Sequence, residues 1–270
     1  MELKWFLADL PATHEEVIIV PIGDVHYGSD LFSARHFNRE LQIIADTPNM
    51  YVILVGDLLE CVTKSSVGDV YSQVGSPQKQ RDWMINKLMP IKDKIIGMVT
   101  GNHEGRIYRE VGFDISKDIA EALGVPYREE GILLKVSFGS GNERHEEKPY
   151  VYWIYATHGY GGARTSGAKA IKLERTATYI HADLYFMGHD HSVNVQKMVY
   201  LIPDPRSSYD EDGDMRIGKI KEHTKILVKT NAFCKWGGYG ERGGFAPSDL
   251  STPCAILKGT NNKKIEVLVR

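Results

Sequence analysis

The chain has 270 residues, 42% of them hydrophobic and 25% charged, with 33 Lys and Arg set against 35 Asp and Glu for a formal net charge of −2. This is the balance of a globular protein with a core, and it excludes a disordered chain or a strongly basic coat for nucleic acid, though not a local basic groove. Three scattered cysteines (Cys61, Cys234, Cys254) form no disulfide framework, and no apolar run reaches the roughly 18 residues of a membrane span. One cytoplasmic domain over residues 1–270, without membrane contact, is therefore expected, and the cysteines are expected to be small buried residues.

The first apolar run, Val17 to Ile22, reads as a strand and is followed by a helix from Ser33 to Ala45. Ser33 is placed as its N-cap, and Phe37, Leu41 and Ile44 share one face. A second strand (Met50 to Val55), a helix (Gln78 to Leu88) and a third strand (Ile95 to Thr100) continue the alternation, which implies helices packed on a sheet. A helix over Ile115 to Leu123 stops at Gly124, with Pro126 just beyond. From Ile132 the pattern turns to strands: Ile132 to Phe138, Tyr150 to Ala156, Leu184 to Met187, Val193 to Leu201, Lys225 to Lys229, Ala255 to Leu257 and Ile265 to Val269. One helix, Lys169 to Ile180, interrupts them. Gly139 to Lys148 and the Pro-, Ser- and Asp-rich stretch Pro203 to Asp214 read as surface loops. The order fits an α/β fold of two facing sheets with helices outside.

Five short motifs each follow a predicted strand: Gly23-Asp24-Val25-His26, Gly56-Asp57, Gly101-Asn102-His103-Glu104, His158-Gly159 and Gly188-His189-Asp190-His191. Ligands of open α/β sheets gather at the carboxyl ends of strands, so these junctions are placed to meet. Asp, His and Asn supply O and N donors, and none of the motifs holds a cysteine. The set suits a catalytic divalent cation better than a thiolate-bound structural zinc.

Taken in order, the motifs resemble those of the calcineurin-like metallophosphoesterase superfamily: Asp-x-His, Gly-Asp, Gly-Asn-His-Asp/Glu, His and Gly-His-x-His. The resemblance covers about Val17 to His191. It implies a four-layer αββα sandwich and two divalent metal ions, Mn²⁺ first, with Fe, Zn, Ni or Mg as alternatives. It also implies that Asp24, His26 and His191 hold one ion, that Asn102, His158 and His189 hold the other, and that Asp57 bridges them. A metal-bridging hydroxide would attack phosphorus, and His103 would protonate the leaving oxygen or bind phosphate. Glu104 and Asp190 are expected to orient imidazoles. The other histidines (His14, His36, His145, His181, His223) carry no motif and are expected at the surface or in packing.

The second motif runs Gly56-Asp57-Leu58-Leu59-Glu60 and lacks the Asp-Arg-Gly that family phosphoprotein phosphatases carry, so it is closer to the family's DNA-repair exonucleases and small phosphodiesterases. The expected substrate is a phosphodiester of a nucleic acid or nucleotide, with a phosphomonoesterase or a non-catalytic scaffold as the alternatives. Arg106 and Arg164 are candidate phosphate contacts. Lys169, Lys172 and Arg175 fall on one stripe of a helix, which reads either as a polyanion track or as a solvated face. Phe233 to Phe245, with Trp236, Tyr239 and Arg242, reads as a base-stacking platform or as a loop packed on the second sheet. The late Tyr-Gly…Pro stretch and Gly-Asn-His-Glu-Gly-Arg resemble family members encoded by phages and prophages.

Overall fold

The strand-forming residues divide into two six-stranded sheets. The computed structural model describes residues 4–66, 68–141, 148–209, 217–247, 250–260 and 263–270. In chain order the elements are β1 (Trp5–Asp9), β2 (Glu16–Ile22), α1 (Ala34–Asp46), β3 (Met50–Val55), α2 (Pro77–Leu88), a 3-10 turn (Met89–Lys94), β4 (Ile95–Val99), α3 (Glu104–Val111), α4 (Ile115–Leu123), β5 (Tyr127–Arg128), β6 (Gly131–Phe138), β7 (Tyr150–Thr157), α5 (Ser166–Tyr179), β8 (Leu184–Met187), β9 (Asn194–Tyr209), β10 (Ile217–Lys229), α6 (Gly238–Arg242), β11 (Pro253–Lys258) and β12 (Ile265–Val269). One sheet has the order β12-β11-β2-β3-β4-β5 and the other β1-β6-β7-β8-β10-β9. The pairs β2–β3, β3–β4 and β7–β8 are parallel, so each sheet has a set of carboxyl ends that align.

The layers follow from side-chain alternation along the strands. On β2 and β3, Val17, Ile19, Tyr51, Ile53 and Val55 face the other sheet and meet Ile132, Leu134, Ile154 and Phe186. Val20, Ile22, Met50, Val52 and Leu54 face outward onto α1, α2 and α4, through Phe37, Leu41, Ile44, Met84 and Ile119. Each such side chain taken fully from water contributes about 1.5–3 kcal/mol. On the far side α5 covers β7, β8 and β10 through Leu173 and Ala177. The architecture is the expected αββα sandwich.

Ser33 stands at the N-cap of α1 as expected, but its hydroxyl engages the His36 ring (2.7 Å) rather than a backbone N–H. Gly124 closes α4 in the left-handed conformation. The stretch from Pro203 is not a loop at its start: Pro203–Tyr209 continues β9, while residues 210–214 lie outside the described residues. Proline is tolerated there because β9 is the last strand of its sheet and one side of its backbone needs no ladder partner. Residues 142–147 of the predicted Gly139 to Lys148 loop, with His145, also lie outside the described residues. The three cysteines are buried and free. Among the described residues no helix is long and apolar enough to cross a membrane.

Candidate metal centre

β2, β3 and β4 of one sheet and β7 and β8 of the other deliver the five motifs to one place. Asp24 and His26 leave β2, Asp57 leaves β3, Asn102 and His103 leave β4, His158 leaves β7, and His189 and His191 leave β8. The loop after β2 is pinned by aromatic packing, with Tyr27 stacked on Trp83 at 3.6 Å between centroids. It also borrows the next strand's loop: Val25 and His26 donate their backbone N–H groups to Asp57 O at 2.8 and 3.0 Å.

Among the described residues three donor groups result: Asp24 with His26 and His191, Asp57 with His158 and His189, and His26 with Glu60 and His103. In the first, His26 Nε2 lies 3.1 Å from His191 Nε2, and Asp24 Oδ1 lies 3.3 Å from His191 Nε2. In the second, His158 Nε2 lies 3.2 Å from Asp57 Oδ2 and 2.9 Å from Asn102 Oδ1, which is itself 2.7 Å from His189 Nδ1. Asp57 Oδ2 is also 3.9 Å from His26 Nε2, so this carboxylate lies between the first two groups.

The outer ring nitrogens of His26, His158 and His189 are tied elsewhere, which fixes which of their atoms face inward. His158 Nδ1 donates to Val55 O (2.9 Å), and His189 Nε2 donates to Gly161 O (2.7 Å). His26 Nδ1 is held by Glu60 Oε2 at 3.1 Å. A ring anchored at one nitrogen presents the other as a ligand, as metal-binding histidines do. Asp24 Oδ1 is buried without a hydrogen bond among the described residues, although Asp24 Oδ2 accepts from His189 N–H at 2.8 Å.

Backbone strain is concentrated here. Six non-glycine described residues have φ between 45° and 71°, and Asp24, His26, Asp57, His189 and His191 are five of them. Each costs about 1–3 kcal/mol, a burden that persists only where surrounding contacts over-determine the loop. Close approach adds a second constraint. A Cβ on Gly101 would meet Asp57 N at 2.0 Å and Asp57 Oδ1 at 2.1 Å.

The carboxylates and imidazoles of the centre hold one another charged. Burial would raise the Asp57 carboxyl, but the attraction of His158, His103 and His26 prevails and holds it well below the ordinary carboxylate range. Asp24 is likewise lowered against its own burial, chiefly by His191. Burial would depress His26 and His158, but Glu60, Asp57 and Asp24 lift His26 to about 9, and Asp57 and Asp24 lift His158 to about 10.

His103 stands beside the first two groups, its Nε2 3.7 Å from Asp57 Oδ2 and its Nδ1 donating to Glu60 O at 2.9 Å. Burial pushes it down to about 4, with Asp57 opposing. Its Nε2 accepts from Arg106 Nη2 at 3.0 Å. Arg106 is thus brought to the centre. Arg164 is exposed, with its guanidinium 5.7 Å above the Phe245 ring. That contact joins the loop after His158 to the Phe233–Phe245 segment, which packs against the β2 loop through Phe233 N–H on Asp24 O (2.9 Å) and Lys235 N–H on Leu31 O (2.9 Å).

Three expectations are corrected. Glu104 orients backbone, not an imidazole: its carboxylate accepts from Leu59 N–H (2.8 Å), Asp57 N–H (3.1 Å) and Gly101 N–H (3.2 Å), and burial pushes it up to about 7. Asp190 pairs with Lys172 and Lys229, each at 2.5 Å. The basic stripe is accordingly neither a polyanion track nor a solvated face, since Lys169 and Lys172 are buried and Arg175 alone of the three is exposed. Sequence reasoning missed Glu60 and Lys229 as parts of the site. Glu60 follows the second motif by three residues and was legible by that spacing, whereas Lys229 sits on a late strand with no motif. Of the other histidines, His14 bonds Tyr51 OH (3.1 Å) and His181 stacks on His223 (4.6 Å).

No family model matches the chain, and no curated protein does. Solved structures do. Vacuolar Protein Sorting 29 from Cryptosporidium parvum is 13% identical, with 95% of this chain and 99% of that one covered at a TM-score of 0.47. A conserved protein of Streptococcus pneumoniae described as a predicted phosphoesterase is 11% identical, covering 94% and 90% at a TM-score of 0.40. Vps29 from Entamoeba histolytica in complex with Zn²⁺ is 12% identical, covering 94% and 99% at a TM-score of 0.37.

Proposed function

We propose that the chain is a phosphoester hydrolase of the calcineurin-like metallophosphoesterase kind, dependent on two divalent cations and acting on a phosphodiester of a nucleic acid or nucleotide. The observation that carries this reading is the convergence of seven donor side chains from five strand ends into two adjoining groups with Asp57 between them. The residues fit cations on chemical grounds: two buried carboxylates held anionic, imidazoles anchored so that one nitrogen faces inward, and an orphaned Asp24 oxygen. Mn²⁺ is the ion proposed first, with Fe, Zn, Ni and Mg as competitors, and mixed O and N donors without thiolate are compatible with each. Cations bound there would make water nucleophilic near neutral pH and offset the charge gathering on phosphoryl oxygens.

The chain's own side chains divide the remaining work. Asp57 and Asp24 supply the negative charge that lets two cations sit close together. Glu104 holds Gly101, Asp57 and Leu59 in register, so that Asp57 and Asn102 keep their relative positions. Arg106, now on His103, has the planar fork to grip a phosphate oxygen instead. Moving Arg106 onto phosphate would remove a charge that helps hold His103 low and would free its Nε2 to take up a proton and pass it to the departing oxygen. A diester is favoured over a monoester because Glu60, held anionic by His26 against its burial, lies beside His26 and His103 and repels a dianion more than a monoanion.

The test is metal-stripped protein with Mn²⁺ restored, offered an aryl phosphodiester and the matching monoester, alongside Asp57→Asn. The expected result is diester preference, with most activity and metal occupancy lost in the variant. Monoester preference would make it a phosphomonoesterase. Hydrolysis of neither in an Asp57-dependent way would leave a scaffold that keeps the fold.

A further inference from the structure

We propose that Lys172 and Lys229, clamped on Asp190, are positioning residues that set the spacing of His158, His189 and His191 for metal binding. The inference rests on the metal reading above and assigns a task to three buried charges which that reading leaves unused.

The turn Gly188–His191 carries two candidate ligands with φ of 71° and 50° and a buried aspartate between them. Three ammonium groups converge on this turn. Lys169 Nζ donates to Asp190 O at 2.9 Å, Lys172 Nζ to Asp190 Oδ1 at 2.5 Å, and Lys229 Nζ to Gly188 O at 2.9 Å while pairing with Asp190 Oδ2 at 2.5 Å. Both backbone and side chain of the turn are thus fixed from two directions, by α5 on one side and the end of β10 on the other.

Lys172 does one thing more. Its Nζ also donates to Tyr160 O at 2.7 Å, in the loop that follows His158. The next residue, Gly161, receives the outer nitrogen of His189 on its carbonyl at 2.7 Å. One ammonium therefore ties the loop after β7 to the turn after β8, and the three histidines those segments carry cannot drift apart while it holds. A buried ionic cluster is a poor way to gain stability alone, since well-packed apolar side chains of similar volume usually serve as well or better. Directional bonds to the carbonyls and carboxylate of one ligand-bearing turn do what apolar packing does not: they fix its orientation.

The experiment compares wild type, Lys172→Met, Lys172→Arg, Asp190→Asn and, as a control on the exposed part of the same helix, Arg175→Met. Three readouts are taken: Mn²⁺ affinity and stoichiometry by calorimetry on metal-free protein, the visible spectrum of the Co²⁺-loaded form, and the melting temperature without metal. Lys172→Met and Asp190→Asn are expected to bind Mn²⁺ about 10–100-fold more weakly, the range seen when groups supporting metal ligands are removed, with an altered Co²⁺ spectrum. Lys172→Arg should recover part of the affinity, and Arg175→Met should match wild type. If Lys172→Met does not fold, Asp190→Asn, which keeps shape and an acceptor oxygen, carries the comparison. Unchanged affinity and spectrum in the variants, whatever their melting temperatures, would overturn the inference while leaving the metal reading intact. A wild type that binds no divalent cation would overturn both.

Discussion

Burial by itself would raise the carboxyls of Asp24 and Asp57, yet both are held low by the histidines around them, and His26 and His158 are lifted to about 9 and 10 in return. At neutral pH these imidazoles carry protons that a cation must displace. Metal uptake is therefore expected to release protons, and affinity to weaken progressively as pH falls through about 10 and 9 toward neutrality and below. Calorimetric titration in buffers of differing ionisation enthalpy measures this directly, and a heat independent of buffer would contradict it. His103 behaves differently, since burial depresses it to about 4 and it touches Asp57 only at 3.7 Å. His103→Ala should keep the metals but slow turnover, most for poor leaving groups. A slowing equal for all leaving groups would exclude proton donation and leave phosphate binding. The seven donors were legible residue by residue because each sits in a short motif after an apolar run. Glu104 and Asp190 were misassigned because a motif gives adjacency in the chain, not the partner a side chain reaches.

Among the elements, those with strong periodicity and clear stops were legible: α4 ends at Gly124 where expected, and β3, β8 and β12 have the bounds their apolar runs indicate. Two were not. α3 is eight residues long and begins inside the third motif, where Glu104 reads as chemistry rather than as a helix start. β1 buries only Ala8 fully, with Phe6 partly buried beside it on the core face and Trp5 and Leu7 exposed, and it exists because β6 supplies a parallel partner. The stripe read on α5 divides, because the turn after β8 buries Lys169 and Lys172 while Arg175 stays exposed. Close packing between strand ends yields a sharp expectation. Gly101→Ala places a methyl against Asp57 N and Oδ1, so the loops after β3 and β4 must part. A stability loss of about 1–3 kcal/mol in denaturant titration, with loss of bound Mn²⁺, is expected. Wild-type metal content in that variant would show that the two loops tolerate separation.

For the molecule as a whole, the core between the sheets makes the site possible, because it holds the carboxyl ends of β2, β3 and β4 over those of β7 and β8. Phe186 is fully buried in that core, one residue before the end of β8. Phe186→Ala is expected to cost about 3–5 kcal/mol and to lower the denaturation midpoint of both sheets together, followed by circular dichroism and tryptophan fluorescence. Two separated transitions would mean that the sheets do not share one cooperative core. By itself the sequence determined the alternation of strands and helices, the donor residues and their placement at strand ends, since period and punctuation are local properties of the chain. Tertiary structure alone decided which sheet each strand joins, that Asp57 lies between the donor groups, that Lys229 reaches Asp190 and that the α5 lysines are buried. Those outcomes depend on contacts between residues far apart in the chain, and their free energy arises only once both sheets have closed over one core.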